Sequence, residues 1–303
     1  MLHAVLLSLI IGCEMERPYL DAMQQILDHG VVREDRTGVG TIGLFGMQQR
    51  YDLAQGFPAV TTKRLAWKSV VSELLWFIEG SGDEKRLREL LHGSRESEKA
   101  TIWTANATAD YWQPRAQREG DLGRVYGVQW RHWRSPVFKG SYSFTETDQL
   151  VQLVEGLRKD PNGRRHILSA WNPGELDQMA LPPCHVMAQF WVSNDRRLSC
   201  QMYQRSCDMF LGVPFNIASY SLLTAMVAQV CGFGLGEFVH VLGDAHIYLN
   251  HVAQVNEQLK REPLPAPTLW LNPEVQDITR FTMADIRLDG YHPHPAIAAE
   301  MAV

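Results

Sequence analysis

No Lys or Arg precedes the first apolar run of this 303-residue chain, no two cysteines are spaced as C-x-x-C, and no Pro/Gly/Ser linker, repeat or low-complexity tract divides it. Five cysteines, an odd number without regular spacing, fit neither a disulfide framework nor a zinc site, so a reducing compartment and no metal are expected. Without a linker, the length suits one large α/β or α+β unit. A net charge of −5, with 45% hydrophobic and 21% charged residues, gives no electrostatic case for nucleic acid. Any anionic ligand must then be caught by local arginines. The run Ala4 to Cys13 is too short to span a bilayer and has the length of a signal-peptide core, and Ile10-Ile11-Gly12-Cys13 approximates a lipoprotein box. A secretory leader carries Lys or Arg ahead of that core, however, and Met1-Leu2-His3 carries none. Residues 1–14 are expected to be an N-terminal extension, from an upstream start or an appended segment, and the protein cytoplasmic, with no membrane partner.

What is present reads as alternating helices and strands. Residues 16–29 place Leu20, Met23, Ile26 and Leu27 on one helical stripe, ended by Gly30. Residues 41–53 alternate loosely and predict strands crossing a sheet. Residues 65–79, 149–157 and 215–231 read as helices, the last apolar enough to be the buried central one. Residues 238–242 read as a strand, with His246 and Tyr248 just past its end. Two further strands, residues 185–192 and 198–203, are joined by the polar Ser193 to Arg197 and predict a hairpin. That hairpin brings Cys184 and Arg205 to the same open end.

Cys184 follows Pro182 and Pro183, which fix the backbone ahead of the strand. A thiolate is the nucleophilic form of cysteine, so a neighbouring cation such as Arg205 would lower its pKa and activate it. Buried apolar cysteines are commoner, and Cys13, Cys200, Cys207 and Cys231 are read that way. Glu73 lies in a nearly apolar helix, either as a general acid/base or as an ion-pair member. Trp103, in the apolar island Thr101-Ile102-Trp103, is core packing or a platform for a flat heterocycle. The glycine-bearing loop 34–40 offers Arg36 to a phosphate or to a salt bridge with Glu34 or Asp35. Arg164 and Arg165 follow a turn, where charges usually face solvent.

The ordered set Asp35-Arg36-Thr37-Gly38, Thr61-Thr62-Lys63, Glu73 to Phe77, Thr101 to Trp103, Val125-Tyr126-Gly127, Arg164-Arg165, Ser169 to Asn172, Pro182 to His185, Gln204 to Tyr220, Gly243 to Tyr248 and Tyr291 to Pro295 resembles the thymidylate synthase family from about Met15 to the C-terminus. The resemblance implies an α+β fold, a large mixed sheet covered by helices, in a single catalytic domain spanning 15–303, with sheets packed back to back in a homodimer. It implies Cys184, His185, Glu73, Tyr126 and Asn216 as catalytic residues. The substrate dUMP would be held by Arg36, Gln204, Arg205, Ser206, Asp208, Asn216, His246 and Tyr248, together with Arg164 and Arg165 from the neighbouring subunit. The co-substrate, 5,10-methylenetetrahydrofolate, would meet Lys63, Ile102, Trp103, Asp208, Leu211, Gly212, Phe215 and Ala302, and the C-terminal Met301-Ala302-Val303 would close over it. Two positions depart from the common family pattern: Arg124 stands where a proline is usual, and Asn106 where many relatives carry tryptophan.

The implied reaction converts dUMP to dTMP and the reduced folate to dihydrofolate. A hydroxymethylase acting on dUMP or dCMP is the alternative within the same family, because water reaching the reaction intermediate would give a hydroxymethyl product. A third reading, an inactive RNA-binding member, has only the Arg and Lys residues of 85–99 behind it.

Overall fold

The computed structural model describes residues 15–35 and 37–301. The expected extension 1–14, Arg36 and Ala302 therefore lie outside the described residues. Helix α1 (Arg17–His29) opens on Pro18, whose fixed φ suits a first helical turn, and turns Tyr19, Leu20, Met23 and Ile26 into the core. In chain order there follow β1 (Val31–Arg33), β2 (Thr41–Asp52), α2 (Trp67–Ile78), α3 (Glu84–His92), α4 (Thr104–Ala107), α5 (Tyr126–Arg131), β3 (Trp133–Phe138), β4 (Tyr142–Thr147), α6 (Gln149–Lys159), β5 (Ile167–Ser169), β6 (His185–Val192), β7 (Arg197–Asp208), α7 (Gly212–Cys231), β8 (Gly234–Tyr248), α8 (Val252–Leu259), β9 (Thr268–Leu271) and β10 (Ile286–Asp289).

Six strands make one sheet in the order β1-β2-β8-β7-β6-β5. Neighbours pair antiparallel except β7 and β8, which run parallel. A parallel pair needs a long crossover, and α7 supplies it. This helix is apolar on every side because it is enclosed on every side: Cys200 and Met202 of β7 and Phe238 and Leu242 of β8 are fully buried, as are Leu222, Leu223, Met226 and Val227 of the helix. It is long and apolar enough to cross a membrane, yet 89% of its most apolar window is buried in this protein, so it is the core helix. The αL residue Gly232, with φ 71°, ends it. The molecule is thus α+β, with a large mixed sheet flanked by helices.

Two sequence expectations are corrected here. Residues 41–53 make one long strand rather than several, and β8 runs on to Tyr248, so His246 and Tyr248 sit within a strand instead of after it. The β3–β4 hairpin was not foreseen; it pairs only with itself, apart from the six-stranded sheet, and exposes Phe138, Tyr142 and Phe144.

Candidate active site

The hairpin of β6 and β7 ends with Arg205 N–H donating to the Cys184 carbonyl at 2.8 Å. The Arg205 side chain then reaches back, donating from Nε to the Pro183 carbonyl and from Nη2 to that of Pro182, each at 2.9 Å, with its guanidinium 5.3 Å from the Trp171 ring. Arg205 therefore clamps the Pro-Pro turn that presents the thiol. On the other side the Cys184 N–H donates to the Tyr126 hydroxyl at 2.7 Å. Burial raises the thiol pKa, opposed by the Arg205 charge and by hydrogen bonds from Tyr126 and Ser206, and the net shift is upward. Arg205 lowers the thiol pKa, as expected of a neighbouring cation, but two of its donors are held by backbone carbonyls and burial outweighs its charge.

Asn216 is the fifth residue of α7 and is buried. Its Oδ1 accepts from Gln204 Nε2 at 2.9 Å, and its Nδ2 lies 3.0 Å from His185 Nε2. Gln204 is fixed in turn: Nε2 also donates to the Ser206 carbonyl at 2.9 Å, and Oε1 lies 2.9 Å from His240 Nε2. A carbonyl only accepts, so Gln204 has one amide sense, and Asn216 inherits it. Burial pushes His185 and His240 down to about 3, which keeps both imidazoles neutral. His185 Nδ1 is 3.3 Å from the Tyr220 hydroxyl. His240 and Tyr220 were not singled out from sequence, because only the β7–β8 register, Met202 against His240, places that histidine beside Gln204.

Glu73, on α2, accepts from Trp103 Nε1 at 2.7 Å. Burial lifts its carboxyl to about 7, and the Trp103 bond lowers it in part. Trp103 is itself buried, with its ring edge against Tyr126 at 5.7 Å and tilted against Trp76 at 5.8 Å. It thus belongs to the core and to the cleft wall at once.

These groups face one cleft of about 500 Å³, a size suited to a small-molecule ligand. Cys184, His185, Glu73, Tyr126, Asn216, Gln204, Arg205, Ser206, Asp208, His246, Tyr248, Ile102, Trp103, Gly212 and Phe215 all line it. Met301 and Asn106 do as well. Asp208 Oδ1 takes the Phe210 and Leu211 N–H groups at 3.0 and 3.2 Å, shaping the turn from β7 into α7. His246 Nδ1 is 3.2 Å from Asp244 Oδ1 and its ring meets Tyr248 edge-on at 5.2 Å. Asp35 takes the Thr37 hydroxyl and the Gly40 N–H and is held below the usual carboxylate range, chiefly by Thr37, which gives the phosphate-loop candidate its shape.

Four candidates lie elsewhere. Lys63 is buried against Phe210, its ammonium 3.4 Å from the ring centroid and bonded to the Phe210 carbonyl, and burial pulls its pKa down to about 7. Leu211 packs on the core rather than lining the cleft. Arg164 and Arg165 are exposed and line no part of this chain's cleft. Arg124, the departure from proline, is buried with Nε donating to Glu175 at 2.6 Å. Among known proteins, the family described as thymidylate synthase matches residues 17–303.

Proposed function

The chain belongs to the thymidylate synthase family, and from that premise we propose that it converts dUMP to dTMP, with 5,10-methylenetetrahydrofolate as co-substrate and residues 15–303 as one catalytic domain. The observation that carries the reading is the fixed amide of Asn216. With Oδ1 toward Gln204 and one Nδ2 hydrogen toward His185, one lone pair and one N–H remain for a base. They match the N3–H donor and O4 acceptor of uracil, whereas cytosine presents the reverse pattern.

Uracil C5 is a weak nucleophile until a thiolate adds at C6 and pushes electron density toward C5 and O4. Cys184 supplies that thiolate, losing its proton as it adds, since its raised pKa keeps the free thiol protonated. Asn216 Nδ2–H supports the charge developing on O4. Glu73, poised at about 7, gives and takes protons on the O4 side, and its bond to Trp103 holds it there. The folate supplies the one-carbon unit and the hydride. Ile102, Trp103, Leu181 and Phe215 give that flat molecule an apolar wall, and Asp208 gives its edge a polar partner. A folate bound against that wall would keep water from the reaction intermediate, which favours a methyl over a hydroxymethyl product.

We further propose that Arg164 and Arg165 serve the phosphate of a second copy's substrate. Both are exposed, and they leave this chain's own cleft untouched. Incubation with dUMP and methylenetetrahydrofolate, followed by mass spectrometry of the nucleotide, tests the reading. Thymidylate and dihydrofolate are expected; 5-hydroxymethyl-dUMP with tetrahydrofolate would replace the synthase reading by the hydroxymethylase one, and no turnover would overturn both.

A further inference from the structure

A second concavity, about 680 Å³, shares no residue with the catalytic cleft. It is bordered by the Gly80–Gly82 loop, by segments 112–128 and 177–178, and by β3. Four arginines line it, Arg115, Arg118, Arg124 and Arg134, against Asp121 and Asp177. The carboxylate of Asp121 is already engaged, Oδ1 with the Gly123 N–H at 3.0 Å and Oδ2 with the Gln117 N–H at 2.8 Å.

Arg124 and Arg134 have carboxylate partners, Glu175 and Glu146, whereas Arg115 and Arg118 have none among the described residues. The Arg118 side chain has no hydrogen-bond or ion-pair partner among the described residues; its backbone carbonyl accepts from the Asp121 N–H at 3.1 Å. Glu119, beside it in sequence, is held by Lys85 at 2.9 Å. Arg115 makes one long bond, 3.4 Å to the Asp177 carbonyl, and Arg134 stands 3.7 Å from Glu146. Arg124 is anchored through Nε to Glu175 and through Nη2 to the His132 carbonyl, and its Nη1 has no partner among the described residues. Close by, Arg86 and Arg88 pair with carboxylates at 2.7 to 2.9 Å. In a chain of net charge −5, the two guanidinium groups unpaired with carboxylates among the described residues, those of Arg115 and Arg118, are a local feature.

We propose that this groove binds a small polyphosphate-bearing ligand. Guanidinium forks match phosphate oxygens two at a time, and Arg124, rigidly held by Glu175, gives the site a preorganised element. The volume fits a small molecule, while the acidic charge of the whole chain opposes an extended polynucleotide. The proposal stands apart from the reading of the catalytic cleft.

The test is calorimetric titration of the full chain with inorganic tripolyphosphate, with dUMP present to keep the probe out of the cleft. One tripolyphosphate per chain is expected. Arg115→Ala with Arg118→Ala should weaken binding by about 10- to 100-fold, since charge-assisted bonds are lost, while turnover stays at the wild-type level. Arg134→Ala, on another element, should weaken it by about 10-fold. The comparison between wild type and variants reads the groove even if dUMP proves not to bind. No binding to the wild type, or equal binding to all the variants, overturns the proposal.

Discussion

A carboxyl group shut away from water keeps its proton, and Glu73 shows the consequence for stability. Its folded pKa is about 7 against an ordinary 4.5, so the folded state holds a proton that the unfolded chain releases. Below pH 4.5 both states are protonated and nothing is lost; as pH rises through 7, stability falls by about 3 kcal/mol from this residue. Glu73→Gln should therefore stabilise the protein by about 2 kcal/mol at alkaline pH, leave it nearly unchanged at pH 4.5, and abolish most turnover. Urea unfolding at the two pH values checks this, and equal effects at both would show that the carboxyl is not buried neutral. The raised pKa of Cys184 leads to a second expectation. Alkylation by iodoacetamide in the absence of nucleotide should keep accelerating above pH 9, the ordinary value for a thiol; a plateau near neutrality would mean a preformed thiolate. Asn216→Asp replaces the N–H facing O4 by an acceptor. Competition between dUMP and dCMP should then shift toward dCMP by about 100-fold or more, whereas unchanged selectivity would assign base reading to another group.

At the scale of elements, α5 is set against α2 with no room to spare. A Cβ on Gly127 would come within 2.5 Å of the Phe77 carbonyl oxygen and 2.6 Å of its Cα, both backbone atoms that cannot turn aside. Tyr126, the preceding residue, stacks on Phe77 at 4.9 Å and holds the Cys184 N–H. Gly127→Ala should cost about 1–3 kcal/mol in urea unfolding and lower kcat more than it weakens dUMP binding, because the helix that positions the thiol must move. A variant of wild-type stability and turnover would contradict the contact. Such contacts mark what the sequence could and could not tell. The β6–β7 hairpin was legible because Val186, Met187, Phe190, Trp191 and Val192 make an apolar-rich segment bounded by a polar turn, and α7 because it is long and predominantly apolar. The cleft residues were legible through motifs, not through periodicity. The surroundings were not: burial outweighing Arg205 at Cys184, Lys63 turned against Phe210, and His240 fixing Gln204 all depend on which elements meet, and short-range patterns carry no record of that.

The whole molecule has one sheet face covered by α1 and α7 and another left partly open. Ile167 of β5 pairs with Gln189 of β6, two residues from Trp191, so Ile167 and Trp191 share a face, and both are exposed. Gln201, which pairs with Gln189, is exposed there as well, and Tyr203 and Met187 are half-buried. A half-covered sheet carrying an exposed Trp and Ile suits burial against a second copy, and a twofold contact would repeat it symmetrically. If the copies also exchange Arg164 and Arg165, each site draws residues from two chains, which can be tested by mixing. Cys184→Ala inactivates through the thiol, and Arg164→Ala with Arg165→Ala inactivates through the phosphate, with loss on the order of several kcal/mol of binding. In a mixed dimer one site lacks both features and the other keeps both. After random subunit exchange about half the dimers are mixed and each has one complete site, so activity should return to about a quarter of wild type. If light scattering and mass-tagged subunits show that exchange has occurred and no activity returns, the arginines act within their own chain and the shared site is wrong.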